Sequence, residues 1–211
     1  MAFHRTHNNL NMEGESPMKS PTKSFLLVVA TSAAIGFAFT FEQRPAQAQG
    51  QAPFSFDLVP ASAAIASCLP NAQAKITVLA KSDTRGVDTL QVNAEGLPPN
   101  TDFVVFLTER PAAATPPFGA VQYMGDFTTN SSGHGAVRID AIILEAFSSA
   151  VVGGARFRAE LNHVTIWFAD PAGDDVCFGP GGGPTTPFDG DGQAGTAALS
   201  SNTFLPNAPL P

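Results

Sequence analysis

Leu90, Val92 and Ala94 alternate with Thr89, Gln91, Asn93 and Glu95, and a run of that kind builds a half-buried β-strand, apolar in and polar out. The pattern recurs along the chain. Ile76, Val78 and Ala80 alternate with Lys75, Thr77 and Lys81, and Val121, Tyr123 and Phe127 share one parity within 120–128. Residues 102–108 (Asp-Phe-Val-Val-Phe-Leu-Thr) are apolar on both parities, which suits a central strand. The run from Asn130 to Gly135 is a turn cluster that predicts a hairpin into 136–141. Phe54 and Phe56 alternate like a short edge strand within an Ala/Pro/Gln-rich segment, 49–73, and 196–204 supplies a last strand. Together these predict about seven or eight strands in an all-β sandwich or barrel. Leu144, Phe147 and Val151 stand at helical spacing, which predicts one short helix over 142–152, ended by Gly153-Gly154. No fixed-period repeat occurs, which excludes solenoids and propellers.

Residues 156–170 break the alternation. Arg156, Arg158, Glu160 and Asn162 are polar on the parity that Val164, Ile166 and Phe168 then occupy with apolar groups. Either a bulge near Asn162-His163 exchanges the faces or the second half is buried on both sides. The bulge is the favoured reading, and it places His163, Thr165 and Trp167 on the less buried face.

Residues 1–48 read as a signal peptide. Lys19 and Lys23 precede an apolar run from Phe25 to Phe41, and Ala46-Gln47-Ala48 follows as a small-x-small cleavage site. Retention as an uncleaved anchor is the alternative. Cleavage leaves no membrane span and implies a secreted product, extracellular or periplasmic. The segment holds four of the 11 Lys and Arg and three of the 18 Asp and Glu, leaving seven against 15. With a sequence pI near 4.9, that balance argues against a protein that holds nucleic acid by neutralising phosphate. Hydrophobic residues at 44% against 14% charged argue for a packed chain over disorder.

Two cysteines remain, Cys68 and Cys177, and in an exported chain they most simply form one disulfide, closing a loop of about 110 residues. Two unpaired buried thiols are the alternative. Ile65-Ala66-Ser67-Cys68 looks like a lipobox, but in that family the box abuts the apolar run, whereas here Glu42, Arg44, Pro45 and Asp57 intervene. The expected organisation is a signal peptide over 1–48, the 49–73 segment, a β-sandwich domain over 74–204 and a frayed tail over 205–211.

Gly96-Leu97-Pro98-Pro99-Asn100-Thr101-Asp102-Phe103 lies between two strands and resembles the Leu-x-Pro-x-Thr-x-Tyr corner of fibronectin type III modules. Phe103 replaces the tyrosine, so no phenolic hydroxyl ties the corner to the backbone. The resemblance covers about 25 residues and implies an immunoglobulin-like antiparallel sandwich. More loosely, the mature chain resembles secreted bacterial proteins that carry such sandwiches, a resemblance that supplies no activity.

No catalytic constellation is evident. His134 and His163 are the histidines beyond residue 48; His134 lies in a glycine-rich turn, and no Gly-x-Ser-x-Gly elbow occurs. The run from Gly179 to Pro184 lacks the Lys-Ser/Thr of a phosphate-binding loop. Asp170, Asp174, Asp175, Asp189 and Asp191 fall within 22 residues and make a loop calcium site the one metal reading; otherwise no cofactor is expected. The leading expectation is a non-catalytic module binding a surface or extracellular ligand, glycan or protein. His163, Thr165, Trp167 and Tyr123 form its candidate contact face. The alternative is a secreted hydrolase or carbohydrate-active protein pairing His163 with Asp170, Asp174 or Asp175.

Overall fold

In the computed structural model the described residues are 52–81, 86–185, 193–202 and 207–211. The signal-peptide reading of 1–48 therefore falls outside them, as do Asp189 and Asp191. The described residues are mostly β. The strands are β1 (Phe54–Pro60), β2 (Gln73–Leu79), β3 (Asp88–Glu95), β4 (Asp102–Thr108), β5 (Val121–Thr128), β6 (Gly135–Ala141), β7 (Phe147–Val152), β8 (Ala155–Glu160), β9 (His163–Phe168) and β10 (Ala197–Ser200).

Eight of these form one antiparallel sheet in the order β5-β4-β9-β10-β1-β2-β3-β6. β1 is its pivot: Phe54 to Leu58 pair with β2, while Val59 and Pro60 pair with Ser200 and Leu199 of β10. The expected edge strand is thus an interior one, and the 49–73 segment belongs to the sheet. The order nearly closes on itself, because Gly125 of β5 packs its backbone against the Ile139 side chain of β6.

The alternation seen in sequence becomes burial. Ala74, Ile76 and Val78 of β2 and Leu90, Val92 and Ala94 of β3 enter one core with Phe103, Val105, Leu107, Ile166 and Phe168. The Phe103 ring lies 4.9 Å from Phe168 and 5.5 Å from Phe127, and burying each such ring contributes roughly 1.5–3 kcal/mol. β4 is buried on both faces, as its composition requires. Its other face carries Val104 and Phe106 into a second cluster with Trp167, Ala194 and Ala197.

The corner before β4 is fastened without a tyrosine. Thr129 Oγ1 donates to the Pro98 carbonyl at 2.6 Å and accepts from the Thr101 N–H at 3.0 Å. Gly96 must be glycine: its φ is +69°, and an added Cβ would sit 2.2 Å from the Asn71 carbonyl oxygen.

The expected hairpin across the Asn130–Gly135 turn does not form, because β5 pairs with β4 and β6 with β3. Three further expectations are corrected. Residues 147–152 are strand, not helix; β7 pairs with β8 in a separate hairpin, turned by Gly153 (φ 60°) and Gly154 (φ 84°). Positions four apart, such as Phe147 and Val151, satisfy a helical period and a strand period equally, and the double glycine is a hairpin turn rather than a helix stop. The six-residue helix lies instead at Ala63–Cys68 (α1), capped by Ser62, whose Oγ accepts from the Ile65 N–H at 3.2 Å. A 3-10 turn over Pro171–Asp174 leads into a single turn, Asp175–Phe178 (α2). Second, the favoured bulge at Asn162-His163 gives way to a strand break: β8 ends at Glu160, and β9 begins in the other sheet with all six residues buried. Third, the tail is not frayed throughout, since Leu210 is buried and its N–H donates to the Asn162 carbonyl at 3.1 Å.

Cys68 and Cys177 are joined in a disulfide with a Cα–Cα distance of 5.5 Å, fastening α1 to α2. Among the described residues no helix is long and apolar enough to cross a membrane.

Candidate functional site: a polar cleft on the outer face of β1, β2, β3 and β6

Period-two alternation that sends Ile76, Val78, Leu90 and Val92 inward sends the intervening residues to the opposite face. Register then lines them up. Asp57 pairs with Lys75, Lys75 with Asn93, and Asn93 with Ala136, so one row crosses β1, β2, β3 and β6. The next row begins with the Gln73–Glu95 pair and is completed by the turn before β6.

That turn is built by Asn130. Its Oδ1 accepts from the Ser132 N–H at 2.9 Å and the His134 N–H at 3.1 Å, placing both residues at the rim. Gly133, at φ +75°, makes the turn feasible, because a Cβ there would come 2.2 Å from the Leu97 carbonyl oxygen. Gln73 Nε2 donates to Glu95 Oε1, and the His134 Nδ1 stands 3.9 Å from Glu95 Oε2. The result is an open cleft of about 570 Å³ with Ala136 as its small floor residue, within the size range of ligand sites. A depression of about 450 Å³ adjoins it at Asn71 and Ser132, sharing Gln73, Glu95 and His134. Another of about 230 Å³ adjoins it toward Gln91 and Arg138, sharing Asn93 and Ala136. Side-chain amides, carboxylates, an ammonium, a guanidinium and an imidazole face this space, and no Phe, Tyr or Trp lines it. Such a surface can exchange hydrogen bonds with a ligand, and it presents no nucleophile paired to a base.

The residues expected to form a contact face lie elsewhere. His163 is 1% exposed, Thr165 0% and Trp167 3%, so these three are interior; Tyr123 alone remains exposed, with its hydroxyl donating to Asp126 Oδ2 at 2.6 Å. They are inside because loop 109–120 covers the second face of the β4–β9 region: Phe118 packs edge-on to Trp167 at 5.1 Å, and Phe106 lies 4.5 Å from it on the strand beside.

Of the expected acidic site, Asp189 and Asp191 lie outside the described residues, and the other three carboxylates can be placed. Asp170 Oδ1 caps the 3-10 turn at the Ala172 N–H, Asp174 Oδ2 accepts from the Thr196 N–H, and Asp175 Oδ1 accepts from the Gly181 N–H. Each carboxylate is committed to a different backbone donor. Among the described residues no group of three or more His, Cys, Asp or Glu is placed to hold a metal ion. Nor does His163 meet Asp170: it begins β9, whereas Asp170 follows the strand's far end, a separation of roughly 20 Å at strand rise.

Burial holds the His163 imidazole below its usual range, opposed in part by a hydrogen bond with Ser201. The unfolded imidazole, near 6.5, therefore takes up its proton first as pH falls. Stability from neutral His163 is fully present above that value and is lost below it, at up to about 1.4 kcal/mol per pH unit. Burial pushes the Asp174 carboxyl up, which acts with the opposite sign. Thermal melts between about pH 8 and about pH 5 should show Tm falling below about 6.5. His163→Gln isolates the imidazole and should flatten that fall; the same fall in the variant would contradict this assignment.

Sequence patterning does not reveal the cleft, because it assigns His134 to a solvated turn and the polar parity of β2 and β3 to a plain solvent face. The available signal is the clustering of long hydrogen-bonding side chains, Gln73, Lys75, Asn93 and Glu95, at one end of two pairing strands. No protein-family model matches the chain, and neither a curated protein nor a solved structure shows significant similarity to it.

Proposed function

We propose that the protein is an exported, non-catalytic binding module that takes its ligand in the cleft around Gln73, Asn93, Glu95 and His134. The observation carrying this reading is the contiguous polar depression itself, built by register from four strands and held open by Ala136. Export is supported by the signal-like 1–48 segment together with the disulfide, which persists in oxidising compartments.

The immunoglobulin-like reading of the fold belongs to the same proposal. Its support is strand order: β2-β3-β6 on one side and β5-β4-β9-β10 on the other run as A-B-E and C′-C-F-G do in such sandwiches. β1 is then an addition bridging the first and last strands, and β7–β8 an insertion between the fifth and sixth. In that assignment the Gly96–Phe103 corner leads into the C position rather than the F position, so its likeness to the fibronectin corner is local.

The test is retention of the purified protein on envelope material from its own source cells. Ala136 is exposed on the cleft floor, so Ala136→Trp fills the cleft without entering the core. Retention should drop at least tenfold, a loss of about 1.4 kcal/mol or more. Equal retention of both proteins, or turnover of ester, peptide or glycoside substrates by the wild type, would overturn the proposal.

A further inference from the structure

We infer that the cleft takes a neutral, linear oligosaccharide lying along the seam between β3 and β6; this rests on the cleft being the binding site. Shape points first to a chain rather than a compact molecule. The three depressions follow one another along the seam because each shares lining residues with the next. From Gln91 to Glu95 the seam runs roughly 13 Å at strand rise, and it continues past Glu95 to Asn71 and Ser132. Ala136, opposite Asn93, leaves the middle of that path low.

The chemistry of the walls selects the class of chain. Gln73, Asn93 and Asn130 carry side-chain amides that both donate and accept, Asp57 and Glu95 accept, and Lys75 donates. A hydroxyl both donates and accepts through a single atom, so it can answer all three kinds of partner. Vicinal hydroxyls also present donor and acceptor together to a planar amide, or two donors to a carboxylate.

Other macromolecules fit less well. A protein ligand would need an apolar or aromatic anchor, but the exposed large apolar side chains, Phe147 and Phe157 among them, lie outside the cleft. A polyanion would meet the carboxylates of Asp57 and Glu95 beside Lys75, while the Arg138 guanidinium already lies 3.4 Å from Asp140 Oδ1, and the residues beyond 48 carry 15 acidic groups against seven basic. Negative charge on the ligand thus meets an acidic surface, whereas hydroxyls find both donors and acceptors.

The test titrates the full mature protein with linear oligomers of glucose, mannose and N-acetylglucosamine, from disaccharide to hexasaccharide, by calorimetry. Polygalacturonate and sulfated oligosaccharides form the anionic arm. Wild type, Ala136→Trp and Asn93→Ala are compared, each checked for its fold by circular dichroism. At least one neutral series should bind, with affinity rising about tenfold from the shortest to the longest member and falling at least tenfold in both variants. Binding confined to the anionic arm, but still lost in both variants, would overturn the neutral-ligand inference and leave the cleft as the site. Neutral binding unchanged in both variants would overturn the cleft itself. If no saccharide binds at millimolar concentration the inference fails, and retention on envelopes alone then decides the cleft reading.

Discussion

Removing the Cys68–Cys177 bond should lower the stability of the protein by about 4 kcal/mol, a large share of what holds a domain of this size folded. The bond closes a separation of 109 residues, and the chain-entropy account gives about 4–5 kcal/mol for a loop of that length. Its native ends are also structural anchors. Cys68 ends α1 beside β1, and Cys177 sits in α2, the turn after the loop in which Asp174 holds the Thr196 N–H at the entry to β10. Freed from each other, α1 and the 170–183 segment lose their covalent link. The double variant Cys68→Ser/Cys177→Ser, and the native protein under reductant, should both melt roughly 8–16 °C lower in a domain of this size. A shift of less than a few degrees in both would show that the packing of β1, β9 and β10 holds this region without the bond.

Trp167→Ala should cost about 3–5 kcal/mol and leave ligand retention by the surviving folded fraction unchanged. Trp167 is 3% exposed and packed between Phe106 and Phe118, so truncation opens a cavity beneath loop 109–120. The same substitution separates two roles that aromatic residues play. An anchor for a partner loses binding and keeps its fold; a core residue loses stability and keeps binding. Denaturant unfolding combined with envelope retention on the folded variant reads both. Stability within about 0.5 kcal/mol of wild type would contradict the core assignment.

The disulfide and Trp167 also mark how far the sequence is legible. The cysteine pair can be read directly, because two thiols behind a signal-like segment leave few alternatives. Trp167 cannot, because its exposure depends on loop 109–120 folding over the second face of the β4–β9 region, a contact that period-two patterning does not report. Strands with strict alternation, β2 and β3, are legible for the opposite reason: each residue's face follows from its parity alone, and Ala74, Ile76, Leu90 and Val92 are buried as that parity requires. β7 is ambiguous where parity and helical spacing coincide, at Phe147 and Val151. The cleft is the least legible feature. It needs three strand registers and the Asn130 turn to bring Asp57, Lys75, Asn93 and His134 together, and these residues are scattered over 78 positions. Each taken alone is an ordinary solvent-facing polar residue.

The central claim is that ligand binds on the outer face of β1, β2, β3 and β6 and nowhere else. Backbone amide chemical-shift mapping tests it most directly, with isotope-labelled wild type titrated with the tightest-binding member of the oligosaccharide panel. The account predicts that saturable shifts cluster at Gln73, Asn93, Glu95, His134 and Ala136, with β4, β9 and the β7–β8 hairpin unmoved. Shifts centred on the hairpin around Phe147 and Phe157, or around Tyr123, would contradict it and move the binding face away from the cleft.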